Sequence, residues 1–214
     1  MKKILLFAVL VTMVIASCKK KITNPSITVT VSFPTINFTS GTSFYSIPVG
    51  GALPTGIATA YDSFYKENLS VVLIDSGVNN LVPGIYTAIA TTKSKYGYVK
   101  DTTYYVAVTS FTGSLNLSGN WYQIPLLSGG DSTATNVQLL ANGFYSTSNV
   151  IGANTFTDAA NVLSALFVVT SDTTILFGAP LNDTVGVLNT TRHILGDTTM
   201  TYDSPVGTIV FSKN

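Results

Sequence analysis

The sequence predicts an all-β protein of two domains: a β-sandwich, followed by a second small antiparallel β-domain that is sandwich-like or barrel-like. Apolar and polar residues alternate over short segments, which is the pattern of a half-buried strand. Turns that contain Gly or Pro separate these segments at short intervals. Charged residues make up only 10% of the 214-residue chain and hydrophobic residues 46%, so the chain has enough apolar surface for a sizeable core.

The first half of the chain contains a regular series of strand patterns between turns. The segment 27–33 alternates perfectly and ends at Pro34. Pro48 indicates that the next strand is an edge strand, since proline cannot donate to a ladder. The loop 93–97 is predicted to join the last two strands as a hairpin. The predicted strands are residues 27–33, 44–49, 57–62, 69–75, 85–92 and 101–108. A series of roughly seven short strands fits a sandwich of two antiparallel sheets, predicted over residues 27–109.

The second half, residues 111–214, has the same character. It opens with Gly119-Asn120-Trp121, in which the aromatic residue is expected to plug one end of a core. One short helical turn is predicted within residues 158–165. The predicted strands are residues 137–140, 143–147, 165–169, 174–177 and 207–211.

The N-terminus has the organisation of an export signal. Lys2 and Lys3 precede an apolar run over residues 4–15, which is too short for an ordinary membrane-spanning helix. Ile15-Ala16-Ser17-Cys18 resembles the lipobox of bacterial lipoproteins, and this resemblance implies that Cys18 carries lipid. Residues 1–17 are therefore predicted to be a signal peptide and residues 18–26 a lipidated tether.

Charge and cysteine usage exclude several classes of protein. The chain has 11 basic and 10 acidic residues, but Lys2, Lys3 and the three lysines at 19–21 lie in the leader and tether. The folded remainder has six basic residues against ten acidic ones, so we expect no nucleic-acid partner. One Cys and one His allow neither an internal disulfide nor a Cys/His zinc site, and we predict no metal and no cofactor.

Part of the first domain resembles the bacterial immunoglobulin-like domains of exported surface proteins. The similarity covers residues 26–109, and Pro83-Gly84-Ile85-Tyr86-Thr87 is its most specific element. It implies that the N-terminal β-sandwich is Ig-like.

The second domain resembles the C-terminal domain of a Bacteroidota two-domain lipoprotein family of unknown function. The similar motifs are residues 117–121, 143–152 and 207–211, in the order that the family has them. Relatives are often associated with polysaccharide-utilisation systems, and the resemblance implies such an association here without indicating a binding residue.

No motif supports catalysis, and we predict that the protein is not an enzyme. His193 has no Gly-x-Ser-x-Gly elbow to accompany it. The ten carboxylates are scattered, mostly in polar turns where Asp caps the backbone. A hydrolase built on two facing carboxylates remains a third alternative.

Aromatic side chains are the best candidates for a ligand site, since sugar rings stack on flat aromatic faces. Tyr96 and Tyr98 flank Gly97 in the predicted hairpin loop, where side chains are available for binding. Trp121 and Tyr122 form another candidate pair, although core packing is the favoured role for Trp121. Tyr61, Phe64 and Tyr65 cluster in one further segment.

These observations predict a non-catalytic lipoprotein, anchored through Cys18 to the bacterial outer membrane, that binds glycan or assists a polysaccharide capture system. The alternative is a structural or protein-interaction module with no small ligand. The expected partners are the membrane, polysaccharide and outer-membrane proteins. The periplasmic and the outward-facing locations both remain open.

Overall fold

The described part of the chain is all-β, as the sequence predicts. The computed structural model describes residues 33–113, 115–124, 134–150, 163–171, 174–178, 191–193, 198–204 and 207–213. The strands of the first half are β1 (Thr35–Phe38), β2 (Phe44–Pro48), β3 (Ala58–Asp62), β4 (Glu67–Leu69), β5 (Val71–Ile74), β6 (Gly84–Lys93) and β7 (Val99–Thr109). Those of the second half are β8 (Gly119–Gln123), β9 (Ala134–Ala141), β10 (Phe144–Thr147), β11 (Ala165–Ser171), β12 (Thr174–Phe177), β13 (Thr191–His193), β14 (Thr199–Ser204) and β15 (Gly207–Lys213).

The first half forms two sheets, with strand orders β1-β3-β4 and β2-β7-β6-β5. Strand β2 lies at an edge, as Pro48 predicts. It runs parallel to β7, so the expectation of two purely antiparallel sheets is wrong for this pair. The chain changes sheets between β1 and β2. Strand β2 therefore pairs with β7, the last strand of the first half, and not with β1.

Two strand predictions in the first half need correction. The segment 69–75 is not one strand, because the chain passes at Ser70 from β4 in one sheet to β5 in the other. The Thr92 hydroxyl fixes this crossing by donating to the Ser70 carbonyl oxygen at 2.8 Å. The other correction concerns the first strand: β1 follows Pro34, whereas most of the predicted strand 27–33 lies outside the described residues and Phe33 is not in a strand.

The second half forms one eight-stranded antiparallel sheet with the order β13-β12-β11-β10-β9-β8-β15-β14. The edge strands β13 and β14 approach each other, so the sheet curls. Both are absent from the sequence prediction, because polar residues of the Thr and Asp type weaken the pattern there. Of the predicted helical turn, residues 158–162 lie outside the described residues, and Ala165 begins β11.

In the part of the chain that the structure describes, three apolar clusters hold these sheets together. The first lies between the two sheets of the sandwich and includes Tyr104 and Val106. The second lies within the curled sheet and includes Trp121 and Phe167. The third joins the two halves, because Ala107 on β7 is buried against strands β10 and β11. The second half therefore covers one end of the outer face of the β2-β7-β6-β5 sheet and leaves the other end exposed.

Candidate functional site

The turn between β3 and β4 is shaped by a buried carboxylate. Asp62 has no exposed surface, and its Oδ1 accepts hydrogen bonds from the backbone N–H groups of Phe64 and Tyr65 at 3.0 and 3.2 Å. Such a side-chain bond to the backbone two and three residues later closes a tight turn. Lys66 completes the turn in the left-handed conformation, with φ of 54°. The two aromatic side chains are thus carried at the tip of an ordered hairpin.

The loop between β6 and β7 is equally well defined. The Ser94 N–H donates to the Tyr98 carbonyl and the Gly97 N–H to the Ser94 carbonyl, both at 2.9 Å. The buried Ser94 hydroxyl also accepts from the Tyr98 N–H at 3.1 Å. Gly97 has φ of 91°, which suits glycine alone, so the turn presents Tyr96 outward.

These two loops meet at one end of the sandwich and form an aromatic tip, defined by Phe64, Tyr65, Lys95 and Tyr96. The ring centroid of Tyr65 lies 4.8 Å from the ring centroid of Phe64 and also 4.8 Å from that of Tyr96. The Lys95 ammonium lies 4.2 Å from the Tyr65 centroid and 5.3 Å from the Tyr96 centroid. Phe64 is 53% exposed and Tyr96 61% exposed, so flat apolar area faces solvent although the rings are held in place.

The tip has a consequence for proton binding at Tyr65. Desolvation, followed by the neighbouring Tyr96, raises the pKa of the Tyr65 hydroxyl above its ordinary value. The contact with Tyr96 therefore favours the neutral hydroxyl of Tyr65 over the phenolate.

A groove of about 610 Å³ adjoins the tip along the side of the sandwich. Lys93 and Lys95 line it on one side, and Glu67 and Asn68 on the other. The Glu67 Oε1 atom is buried and has no hydrogen-bond partner among the described residues. Val72 and Val99 contribute apolar walls. The groove thus combines charged and apolar side chains next to exposed rings.

The structure separates the predicted pair Tyr96 and Tyr98. Tyr98 is half-buried and makes an edge contact with Phe33, with ring centroids 5.6 Å apart. Tyr96 instead joins Phe64 and Tyr65. The sequence shows each of these aromatic groups, but not that the β3–β4 turn and the β6–β7 loop meet.

The predicted pair Trp121 and Tyr122 does not form a comparable surface. Trp121 is 0% exposed, and its indole N–H donates to the Leu117 carbonyl oxygen at 2.7 Å. A ligand cannot reach this ring, so the assignment of Trp121 as a ligand contact is corrected to core packing. Tyr122 is half-buried on β8, between β9 and β15, and lies in the other half of the chain from the aromatic tip.

The remaining candidates add no second site. Within the described ranges, His, Cys, Asp and Glu side chains form no group of three or more that could hold a metal ion. His193 lies on β13, opposite Thr174 of β12. Cys18 falls outside the described residues. Among the residues whose structure is described, no helix is long and apolar enough to cross a membrane.

Comparison with known proteins gives similarity to solved structures only. No family model and no curated protein matches the chain. Among solved structures, it is similar to the lipoprotein BT2262 from Bacteroides thetaiotaomicron, with 17% sequence identity and a TM-score of 0.39. The match covers 85% of this chain and 100% of that chain. The neighbour is a Bacteroides lipoprotein, and this level of likeness carries no inference about the aromatic tip.

Proposed function

We propose that this protein is a non-catalytic, exported lipoprotein that is anchored through Cys18 and binds glycan at the aromatic tip. One observation carries the glycan assignment: two ordered loops bring Phe64, Tyr65 and Tyr96 together and leave two of the rings more than half exposed. Soluble proteins normally leave large apolar side chains exposed singly, so a cluster indicates a binding surface.

The physical basis is stacking on preorganised rings. The C–H face of a pyranose ring is apolar and flat, so it buries favourably against an aromatic face. The turn bonds at Asp62 and Ser94 hold the rings before binding, which reduces the ordering entropy that a ligand must offset. The groove beside the tip extends the contact along a polymer.

The test is affinity gel electrophoresis of the mature chain in detergent, with plant and bacterial polysaccharides in the gel. We expect a Phe64→Ala, Tyr96→Ala double variant to lose most of the retardation that the unmodified protein shows. Tyr61→Ala is the matched control, because Tyr61 is an exposed tyrosine on β3 outside the tip. Loss of retardation in Tyr122→Ala but not in the tip variant would move the site to the second half. Absence of retardation by every polysaccharide would reject the glycan assignment.

The lipid anchor has its own test. Cells that express the full chain are labelled with a radioactive or alkyne-tagged fatty acid. We expect label in the unmodified protein and none in Cys18→Ser, which should also leave the membrane fraction. A labelled Cys18→Ser protein would contradict anchoring at Cys18. Proteolysis of intact cells then distinguishes the outward-facing location from the periplasmic one.

A second candidate function is a protein-interaction module, and one specific observation favours it. The outer face of the β2-β7-β6-β5 sheet is covered at one end by the second half of the chain, whereas its other end exposes Val72, Ile74, Ile89 and Val99. Val72 is 59% exposed on the edge strand β5. Exposed apolar edges are sites of strand addition by partners. Under this alternative, Ile74→Lys, at an exposed residue of β5 outside the groove, abolishes co-purification of a membrane partner while the tip variant retains it.

A further inference from the structure

The lysines of the folded part are concentrated at the aromatic tip. Outside the leader and tether the chain has six basic residues, and four of them lie at this end. Lys66 completes the β3–β4 turn, Lys93 ends β6, Lys95 lies in the next loop, and Lys100 is at the start of β7. All four are exposed. The aromatic tip is therefore locally cationic in a folded chain that is acidic as a whole.

Two of these lysines lie where a ligand on the tip would meet them. Lys95 contacts the rings of Tyr65 and Tyr96 through its ammonium and also lines the groove. Lys93 lines the same groove. A sugar stacked on Tyr96 would therefore place an anionic substituent within reach of the Lys95 ammonium. The next sugar unit along the groove would place its own anionic substituent within reach of Lys93.

Three carboxylates lie at the same end as the four lysines: Asp62, Glu67 and Asp101. Asp62 is buried beneath the turn and accepts bonds from its backbone. Asp101 is exposed on β7, opposite Thr91. Glu67 lines the groove, and its Oε1 is buried. The four lysines outnumber these three carboxylates, and the Lys95 ammonium lies against the rings themselves.

We propose that the aromatic tip and its groove recognise an acidic polysaccharide, with Lys93 and Lys95 holding its anionic groups. This inference rests on the proposed glycan-binding function and adds the class of glycan. Stacking alone accepts neutral sugars, and the two ammonium groups add the preference for charge. The binding energy of such charge-assisted hydrogen bonds is larger than that of neutral ones.

The experiment compares polymers that share a backbone and differ in charge. The full-length protein in detergent is run in affinity gels that contain polygalacturonate or its fully methyl-esterified form, and dextran sulfate or dextran. The uronate pair and the sulfate pair distinguish a carboxylate from a sulfate as the anionic group. We expect one acidic polymer to bind at least about tenfold more tightly than its neutral partner, since hydrogen bonds to charged groups are stronger than neutral ones. Salt should weaken only the acidic interaction.

Two variants test whether Lys93 and Lys95 cause the preference for the acidic polymer. Lys93→Met with Lys95→Met keeps the apolar stems but removes both charges, and should reduce the affinity for the acidic polymer by roughly tenfold or more. Lys213→Met is the matched control, because Lys213 lies over the buried Trp121 ring in the second half. It should leave the affinity unchanged.

The possible outcomes separate the two proposals. Equal binding of neutral and acidic polymers overturns the acidic specificity and leaves glycan binding intact. Equal weakening by Lys213→Met overturns it as well, since the effect would then be one of overall charge. Absence of binding to all four polymers, together with co-sedimentation with vesicles of phosphatidylglycerol and phosphatidylethanolamine, overturns both proposals in favour of a membrane contact.

Discussion

At the scale of single residues, Tyr104 illustrates a cost that the fold tolerates. Its side chain is fully buried in the sandwich core, and its hydroxyl has no hydrogen-bond partner among the described residues. Leaving a buried hydroxyl unpaired costs about 1–3 kcal/mol. We therefore expect Tyr104→Phe to raise the free energy of unfolding by about 1 kcal/mol at neutral pH, measured by urea denaturation. A less stable variant would show that the hydroxyl has a partner.

The same residue predicts how stability depends on pH. Burial, followed by the charge of Asp75 and then by Tyr45, raises the pKa of Tyr104 above its ordinary value. The unfolded chain therefore releases this proton first, and stability that is fully present below about pH 10 is lost as the pH rises. Tyr104→Phe should make the alkaline loss shallower than in the unmodified protein.

Trp121 tests whether a ring serves the core or a ligand. Trp121→Phe removes the indole hydrogen bond to Leu117 and leaves a small cavity in the second cluster. We expect a loss of about 2 kcal/mol in the free energy of unfolding and an unchanged affinity for polysaccharide. A weakened affinity in a variant that still folds would return Trp121 to the binding site.

At the scale of elements, the β6–β7 loop depends on one backbone conformation. A Cβ added to Gly97 meets only the Lys93 Cε at 3.7 Å, an ordinary contact, so crowding is not the obstacle. The obstacle is φ of 91°, which side-chain-bearing residues rarely adopt. We expect Gly97→Ala to cost roughly 1 kcal/mol of stability and to weaken glycan binding, because Tyr96 is displaced. Gly77→Ala, where the added Cβ meets nothing within 4 Å, should change neither.

The elements also show how far the sequence reaches. Alternation and turn residues located most strands, because a strand with one buried face has a period of two. The alternation pattern does not divide the segment 69–75, since nothing in the residues marks Ser70 as the point where the chain changes sheets. It missed β13 and β14, whose polar composition weakens the alternation. The strand series found in each half is thus a property of local sequence, whereas sheet membership depends on contacts between distant segments.

The candidate site shows the same division. Tyr96 was singled out because it flanks a loop glycine, and Phe64 and Tyr65 because they are adjacent. Their meeting depends on the β3–β4 turn and the β6–β7 loop lying at the same end of two facing sheets, which no local pattern encodes. The burial of Ser94 and Asp62, which fixes both loops, is likewise a tertiary property.

At the scale of the whole molecule, the two halves share an apolar interface. Phe44 stacks on Tyr105 with centroids 5.5 Å apart and meets the edge of Phe144 at 5.7 Å. The Thr109 hydroxyl donates to the Val169 carbonyl, and the Ser46 hydroxyl to the Asn142 carbonyl at 2.6 Å. On β7 every residue from Val106 onward is buried, because the second half covers the outer face there. We infer that the halves unfold as one cooperative unit.

Phe144→Ala should break that cooperativity. Phe144 is fully buried in the cluster that joins the two halves. Its truncation to alanine should lower the free energy of unfolding by roughly 3–5 kcal/mol, and this loss weakens the contact between the halves. Calorimetry should then resolve two transitions instead of one.

The single tryptophan, Trp121, gives a sharper readout, because it is buried in the second half and its fluorescence reports unfolding of that half. In the unmodified background, the stabilising Tyr104→Phe in the first half should raise the midpoint of the Trp121 transition. In the Phe144→Ala background the same change should leave that midpoint unmoved, because stability is no longer transmitted across the interface. An equal shift in both backgrounds would mean that the coupling runs through the hydrogen bonds of Ser46 and Thr109 rather than through the ring of Phe144.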